Sequence, residues 1–178
     1  MADESEIIEA CSRDKERGFK MLMDTYQEPL YNYIRRLVVS FDDAKDILQE
    51  TFIHTYYHLH TFRRESRLST WIYKIATNEC LRYLEKRNKE EQSVARIDDV
   101  NIALLQSGEY IDYDNAMAVK FQEAVLRLPE KQQVVFNLRY YEEMKYEDIS
   151  SITGTKVETV KVNYHLAKEK IKQYIINE

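Results

Sequence analysis

Three histidines, His54, His58 and His60, are the nearest thing in this chain to a reactive or metal-binding cluster. His54 and His58 stand four residues apart, a spacing that lets two imidazoles on one helix face share a zinc ion. No Glu lies between them in the H-E-x-x-H manner and no third ligand can be placed, so they read as surface residues and no metal is expected. Cys11 and Cys80 lie far apart without metal-like spacing, and two such thiols are expected to stay reduced in a cytoplasm. Neither a Walker loop nor a Gly-rich phosphate cradle occurs, and no Ser-His-Asp or Cys-His arrangement can be placed. An enzyme and a bound cofactor are therefore not expected. The residues that remain point to non-covalent chemistry. Arg63, Arg64, Ser66, Arg67, Thr70, Trp71, Tyr73 and Lys74 bring cations, hydroxyls and aromatic rings together in one short stretch. Single-stranded DNA is held by such a mixture, with basic groups along its backbone and π-faces for unstacked bases. Taken alone, Trp71 also fits a core aromatic, and the arginines fit ordinary surface charge.

A second candidate lies at Tyr146–Ile171, YEDISSITGTKVETVKVNYHLAKEKI. It reads as a short helix, a tight turn at Thr153-Gly154-Thr155 and a longer helix, a geometry that can place one helix in a DNA major groove. Ile149 and Ile152 give the first helix its apolar side, and Gly154 tolerates a positive φ at the turn. Thr155 followed by Glu158 predicts a capping box at the second helix. Val157, Val160, Tyr164, Ala167 and Ile171 recur at helical spacing as its buried side, leaving Glu158, Lys161, Val162, His165 and Lys168 outside. An ordinary helical hairpin in a core has the same pattern.

These residues need elements to position them, and the composition restricts which. Only 3 Gly and 2 Pro occur in 178 residues, which argues against a fold rich in tight turns and for an all-α architecture. The length fits one large or two small domains; 44% hydrophobic content is enough for a core, and 32% charge suits soluble helices. No apolar run approaches membrane-spanning length, and the acidic MADESEIIEA is unlike a secretion signal, so a cytoplasmic chain without membrane insertion is expected. Net charge is −5, but unevenly spread. Residues 1–87 balance at −1, 88–117 at −5 and 118–178 at +1, while Thr61–Arg87 holds 7 basic against 3 acidic residues. Local patches decide phosphate contact, yet without a global positive field the isolated chain should bind DNA weakly and need a partner with further DNA contacts.

Along the chain, Phe19, Leu22, Met23, Tyr26, Leu30, Tyr33, Ile34, Leu37 and Val38 share one helical face, with Pro29 either kinking that helix or starting a new one. Asp42 is the predicted N-cap of the next helix. There Ala44, Ile47, Leu48, Thr51, Phe52, Thr55, Tyr56 and Leu59 follow the helical template. A polar loop, Arg63–Arg67, precedes a third helix beginning near Ser69 and running through Trp71, Ile72, Ile75, Ala76, Cys80 and Leu84. Residues from about 88 to 114 lack a sustained period and read as an acidic tether, with a short helical piece around Val100–Leu105. Helices near 115–128 and 130–141 follow, separated at Leu128-Pro129-Glu130. The plan is two small helical domains joined by an acidic flexible linker.

Three stretches carry a family resemblance. Asp42-Asp43-Ala44-Lys45-Asp46-Ile47-Leu48-Gln49-Glu50-Thr51-Phe52 resembles the most characteristic segment of bacterial RNA polymerase sigma factors. Residues 62–78, FRRESRLSTWIYKIATN, are similar to the promoter-melting segment of that family. Residues 128–136, LPEKQQVVF, with the helix-turn-helix after them, resemble its C-terminal DNA-binding domain. Their order and spacing match the extracytoplasmic-function (ECF) group of the sigma-seventy family, which keeps only a sigma-2 and a sigma-4 domain. The resemblance implies a sigma-2-like domain over 1–88, an acidic linker over 89–114 and a sigma-4-like domain over 115–178. It implies a function in transcription initiation, in which the chain binds core RNA polymerase, recognises promoter DNA and promotes strand opening, with no enzymatic step.

The resemblance also assigns roles. Asp43, Asp46, Gln49 and Glu50 would dock on the β′ clamp helices, where an acidic and amide face suits a basic partner helix; a solvated acidic face is the bland alternative. Arg63, Arg64, Ser66, Arg67, Thr70, Trp71, Lys74 and Asn78 would engage the minus-ten element, capturing a base flipped from the non-template strand. Lys156, Lys161, Val162, Asn163 and His165 would approach the minus-thirty-five duplex, and the β flap would hold this domain. An anti-sigma factor is implied as a further partner. The chain departs from the common T-V-K-S-R-L-x-R-A pattern, because Asn163 and Leu166 replace two arginines. Arginine reads guanine, whereas Asn suits adenine and Val a thymine methyl, so a less G-dependent upstream element is expected. Lys145 stands where the family often has a capping Ser, which predicts a looser helix start. The competing reading is a dimeric helix-turn-helix regulator acting without polymerase, which would leave Asp42–Phe52 and Phe62–Asn78 unexplained.

Overall fold

A computed structural model describes residues 3–91 and 116–177. These form eight α-helices: α1 (Glu4–Arg13), α2 (Lys15–Val38), α3 (Phe41–His58), α4 (Leu68–Glu91), α5 (Ala116–Leu126), α6 (Glu130–Tyr140), α7 (Tyr146–Thr153) and α8 (Val157–Asn177), with a 3-10 turn at Leu59–Thr61. No strand occurs among the described residues, in keeping with the all-α expectation. The predicted helical piece at Val100–Leu105 lies outside the described residues.

The N-terminal half assembles α1–α4 around the apolar stripe of α2. Leu22, Leu30, Tyr33, Ile34 and Val38 are buried there, against Ala44, Ile47 and Phe52 of α3 and Ile72, Ala76 and Cys80 of α4. The hydroxyl of Tyr33 meets that of Thr77 at 2.7 Å, so this fully buried phenol keeps a partner. α2 runs through Pro29 without ending. The loss of one backbone donor there is tolerated because the helix is held by packing along its length.

Two expectations need correction. α3 begins two residues earlier than predicted, with Ser40 rather than Asp42 as its N-cap, accepting from the Asp43 amide at 3.3 Å. Asp42 and Asp43 then lie in the first turn, where carboxylates meet the positive end of the helix dipole. The acidic N-terminus, given no helix from the sequence, forms α1. Its Glu6 side chain accepts from the Asp3 amide at 3.3 Å, and Ile7 is buried. Gly18 of α2 lets α1 approach closely, because a Cβ there would sit on the backbone of Cys11.

In the C-terminal half, Ala124, Val125, Leu128, Phe136, Ala167 and Ile171 form a core between α5, α6 and α8. Val134, Val135, Leu138, Ile149, Ile152 and Val160 belong instead to the apolar cluster of the first half. The halves therefore share a hydrophobic boundary, with α7 lying against α4 and α6 against α2.

Candidate nucleic-acid interface

The loop before α4 carries the cations expected to face a single strand. Arg63, Arg64, Ser66 and Arg67 are exposed, and Arg64 takes a left-handed φ of 60° that turns the chain sharply. Trp71 is half-buried, its ring 5.4 Å from that of Phe62, so it serves packing while leaving part of a π-face outside. Lys74 and Asn78 follow at helical spacing and are exposed. Thr70 is not: it is 3% exposed, and its hydroxyl donates to Asp148 at 3.1 Å. Behind the loop lies a cleft of about 320 Å³ lined by Ile8, Cys11, Lys15, Phe62, Arg64 and Leu68 among others.

Glu4 caps the start of α4 from outside. Its carboxylate accepts from the Leu68 amide at 3.0 Å, the Ser69 amide at 3.3 Å, the Arg67 guanidinium at 3.4 Å and the Tyr26 hydroxyl at 3.2 Å. Partial burial alone would raise its pKa, but the hydrogen bonds from Ser69 and Leu68 and the Arg67 charge outweigh it and hold the pKa below the ordinary value. An anion at a helix N-terminus is a favourable arrangement.

On α3, Asp46, Gln49 and Glu50 are exposed together. Asp43 is engaged within the chain, accepting from the Tyr83 hydroxyl at 2.7 Å. Burial, then this hydrogen bond and the Asp43 charge, push the Tyr83 phenol up to about 12. Beside the acidic residues runs an apolar groove of about 540 Å³ lined by Met23, Leu48, Phe52, Ile53, Tyr56 and Tyr57, in which Tyr57 remains 65% exposed. Of the histidines, His54 is bonded through Nδ1 to Glu79 at 2.7 Å, and its ring meets that of His58 edge-on.

The helix-turn-helix forms where expected. Gly154 ends α7 at φ 66°, with its amide on the Ser150 carbonyl at 2.9 Å. α8 starts at Val157, and the Thr155 hydroxyl pairs with that of Thr153 at 2.8 Å instead of serving the predicted box. Lys145 precedes α7 without a side-chain cap bond, as its departure from Ser predicts. Val160, Ala167 and Ile171 are buried; Lys156, Lys161, Val162, His165 and Lys168 are exposed. Asn163 differs from the other predicted reading residues, being half-buried beside a cavity of about 110 Å³ shared with Thr77, Asn78 and Leu81 of α4.

The residues that tie the halves together escaped the sequence reading. Glu142, in the turn after α6, accepts from Arg36 at 2.8 Å and from the Tyr73 hydroxyl at 2.5 Å. Arg36 also lies over the Tyr141 ring, 4.2 Å from its centre. Burial first, then the Glu142 charge, drives the Tyr73 phenol far above its usual value, so it stays a donor. No periodicity or motif marks Glu142, and its partners are 69 and 106 residues away.

An all-helical chain with a helix-turn-helix and a separate cationic, aromatic loop defines a DNA-binding transcription protein. Residues 22–90 match the family described as Sigma-70 region 2, and residues 118–171 match Sigma-70, region 4. The chain belongs to the sigma-70 family, in its ECF group. Among its relatives are the ECF RNA polymerase sigma factor SigW of Bacillus subtilis, 25% identical over 176 residues and 94% of each chain, and the ECF RNA polymerase sigma-E factor of Escherichia coli K12, 29% identical over 174 residues, 93% of this chain and 90% of that one. The solved structure of the sigma factor RpoE with the anti-sigma factor NepR from Bartonella quintana shares the fold, with TM-score 0.71 and 22% identity over 88% of this chain and 96% of that one. So does CnrH in complex with the cytosolic domain of CnrY, with TM-score 0.69 and 14% identity over 97% and 96%.

Proposed function

We infer that this chain is an ECF-type sigma factor that binds core RNA polymerase, recognises promoter DNA and promotes strand opening for initiation. The observation that carries this reading is a helix-turn-helix with an exposed Lys161–Val162–His165 face on the same chain as an exposed cationic, aromatic loop. Duplex and single strand need these two different surfaces. The work divides into residues 1–88 for polymerase docking and the minus-ten element, 89–114 as the tether, and 115–178 for the minus-thirty-five element. Asp46, Gln49 and Glu50, with Asp43 beside them, meet the β′ clamp helices, and the apolar groove next to them supplies contact area that charge alone does not. Arg63, Arg64, Ser66, Arg67, Trp71, Lys74 and Asn78 hold the melted non-template strand. The cleft behind the loop is the receptacle for an unstacked base, whose extrusion costs a few kcal/mol and is offset by stacking and hydrogen bonds. Lys156, Lys161, Val162, Asn163 and His165 read the upstream duplex, while the β flap holds this half. No bond is made or broken by the protein, and no cofactor is needed. An anti-sigma factor is a further partner, as NepR is for RpoE in the related complex.

Run-off transcription with purified chain, heterologous core polymerase and a randomised promoter pool tests this. Enrichment of templates with two spaced elements is the expected result. A chain without affinity for core enzyme, leaving initiation unchanged on every template, would overturn the reading.

A further inference from the structure

Arg67 stands at a position where its residue type is out of place. It directly precedes α4, and its carbonyl accepts from the Trp71 amide at 3.1 Å, which makes it the N-cap of that helix. Ser, Thr, Asp and Asn are preferred there, because their short side chains accept from the first free amides. Arginine offers no acceptor, and its charge meets the positive end of the helix dipole. The acceptor comes instead from Glu4, 64 residues before Leu68, which takes the Leu68 amide at 3.0 Å and the Ser69 amide at 3.3 Å. The same carboxylate reaches the Arg67 guanidinium at 3.4 Å and is itself held by the Tyr26 hydroxyl at 3.2 Å. The Arg67 side chain stays 69% exposed beyond that contact, against 24% for Glu4. α1, which carries Glu4, is seated by the buried Ile7 and by its close approach to Gly18.

We propose that Glu4 is a positioning residue for promoter opening: from α1 it supplies the cap that α4 lacks, so that a cation can occupy the N-cap position and serve the single strand. The proposal rests on the functional reading above, which assigns Arg67 and the start of α4 to that strand. One residue cannot be both a local cap and a cation, and the division between Glu4 and Arg67 provides both. α1 thereby belongs to the strand-holding surface without touching DNA. Removing the carboxylate has two effects of opposite sign. Through space, one negative charge fewer beside the loop favours a phosphate chain. Through the structure, an uncapped first turn lets Arg67 and Trp71 drift from the geometry in which they hold it. Positioning requires the second effect to win.

Fluorescence anisotropy of a fluorescein-labelled pool of randomised single-stranded DNA, at one ionic strength, reads strand binding by the full chain. Glu4→Ala should bind roughly fivefold more weakly than wild type, although it is the less acidic chain. Glu4→Gln keeps an acceptor oxygen and loses only the charge, so it should bind more tightly than Glu4→Ala. Arg67→Ser gives α4 its own cap and removes the cation; adding Glu4→Ala to it should change binding by less than about twofold. Tyr26→Phe takes one donor from Glu4 and nothing from α4, and should weaken binding in the same direction. Should Glu4→Ala fail to fold, unchanged binding by Tyr26→Phe would overturn the proposal in its place. Glu4→Ala as tight as wild type or tighter, Glu4→Gln no better than Glu4→Ala, or losses that add in full in the double variant would each overturn it as well. The expected pattern in a chain that supports no initiation with core polymerase would leave Glu4 as a positioning residue for strand binding and remove the sigma-factor reading.

Discussion

Glu4 illustrates how much one side chain can set. It ties the end of α1 to the start of α4 through two amides and a guanidinium, and its lowered pKa is the electrostatic sign of that grip. A carboxylate whose pKa falls on folding stabilises the fold above the ordinary carboxylate pKa, and that stability is lost as pH falls through the folded value. Glu4→Gln should therefore destabilise the chain by about 1 kcal/mol at neutral pH, the low end for a charged hydrogen bond because water reaches part of the group. Urea unfolding at a series of pH values should show the gap to wild type closing in the acid range; a gap independent of pH would contradict the assignment. Arg67 and Trp71 belong at the same scale. Alanine at either should slow strand opening by roughly tenfold or more, given that a stacked base contributes about 1–3 kcal/mol, while leaving core binding intact. Permanganate footprinting of the open complex, set beside a core-binding titration, separates the two effects. Loss of core binding with opening preserved would reverse the division of labour. In α8, Asn163 and Leu166 stand where arginines are common in the family, so selection from a promoter pool should return an upstream element with little dependence on G. A G-rich consensus would refute that reading.

At the level of elements, α1 and the turn between α7 and α8 each depend on a glycine, for different reasons. Gly18→Ala places a methyl group against the Cys11 backbone, and the helix must move away. Ile7 then loses burial worth about 2–3 kcal/mol, and Glu4 is drawn off α4. Faster hydrogen exchange across α1 and faster alkylation of Cys11 should report this, with α8 unchanged. Gly154→Ala meets no neighbouring atom, but its φ of 66° is strained for any residue with a Cβ, so a loss of about 1 kcal/mol is expected from backbone strain alone. Thermal unfolding by circular dichroism measures it. These two glycines also mark what could be read in advance. Gly154 stands between two amphipathic runs and announces its turn. Gly18 sits inside a helical pattern, where nothing local reveals the helix pressing on it. α1 did carry a signal, Asp3 and Glu6 spaced as a capping box just ahead of Ile7, but the segment is too short for its apolar residues to show a sustained helical period. The long helices α2, α3, α4 and α8 were legible because their apolar residues repeat with the helical period. The contacts of Glu142 and Asp148 were not, since pairing between distant turns leaves no periodic trace.

The whole molecule sets a problem that neither half solves. A net charge of −5 opposes DNA, and phosphate neutralisation supplies nearly all sequence-independent affinity. The cationic loop is local, and the start of α8 offers Lys161 and His165, with Lys156 just before it. Two weak sites become selective when a rigid scaffold holds both at the spacing of their DNA elements, since engaging one raises the effective concentration of the other. Alone, the chain should bind an upstream duplex no more tightly than non-specific binders do, with Kd in the range of about 10⁻⁴–10⁻⁶ M at physiological salt. Bound to core polymerase, it should discriminate a selected promoter from a scrambled one by a factor far greater than the free chain achieves. Fluorescence anisotropy of the free chain on duplex DNA, beside competition binding of the holoenzyme on the same sequences, makes the comparison at one ionic strength. Discrimination as strong in the free chain as in the holoenzyme would mean that specificity resides in the helix-turn-helix itself. The acidic face of α3 and the cationic loop would then have no part in selecting the promoter.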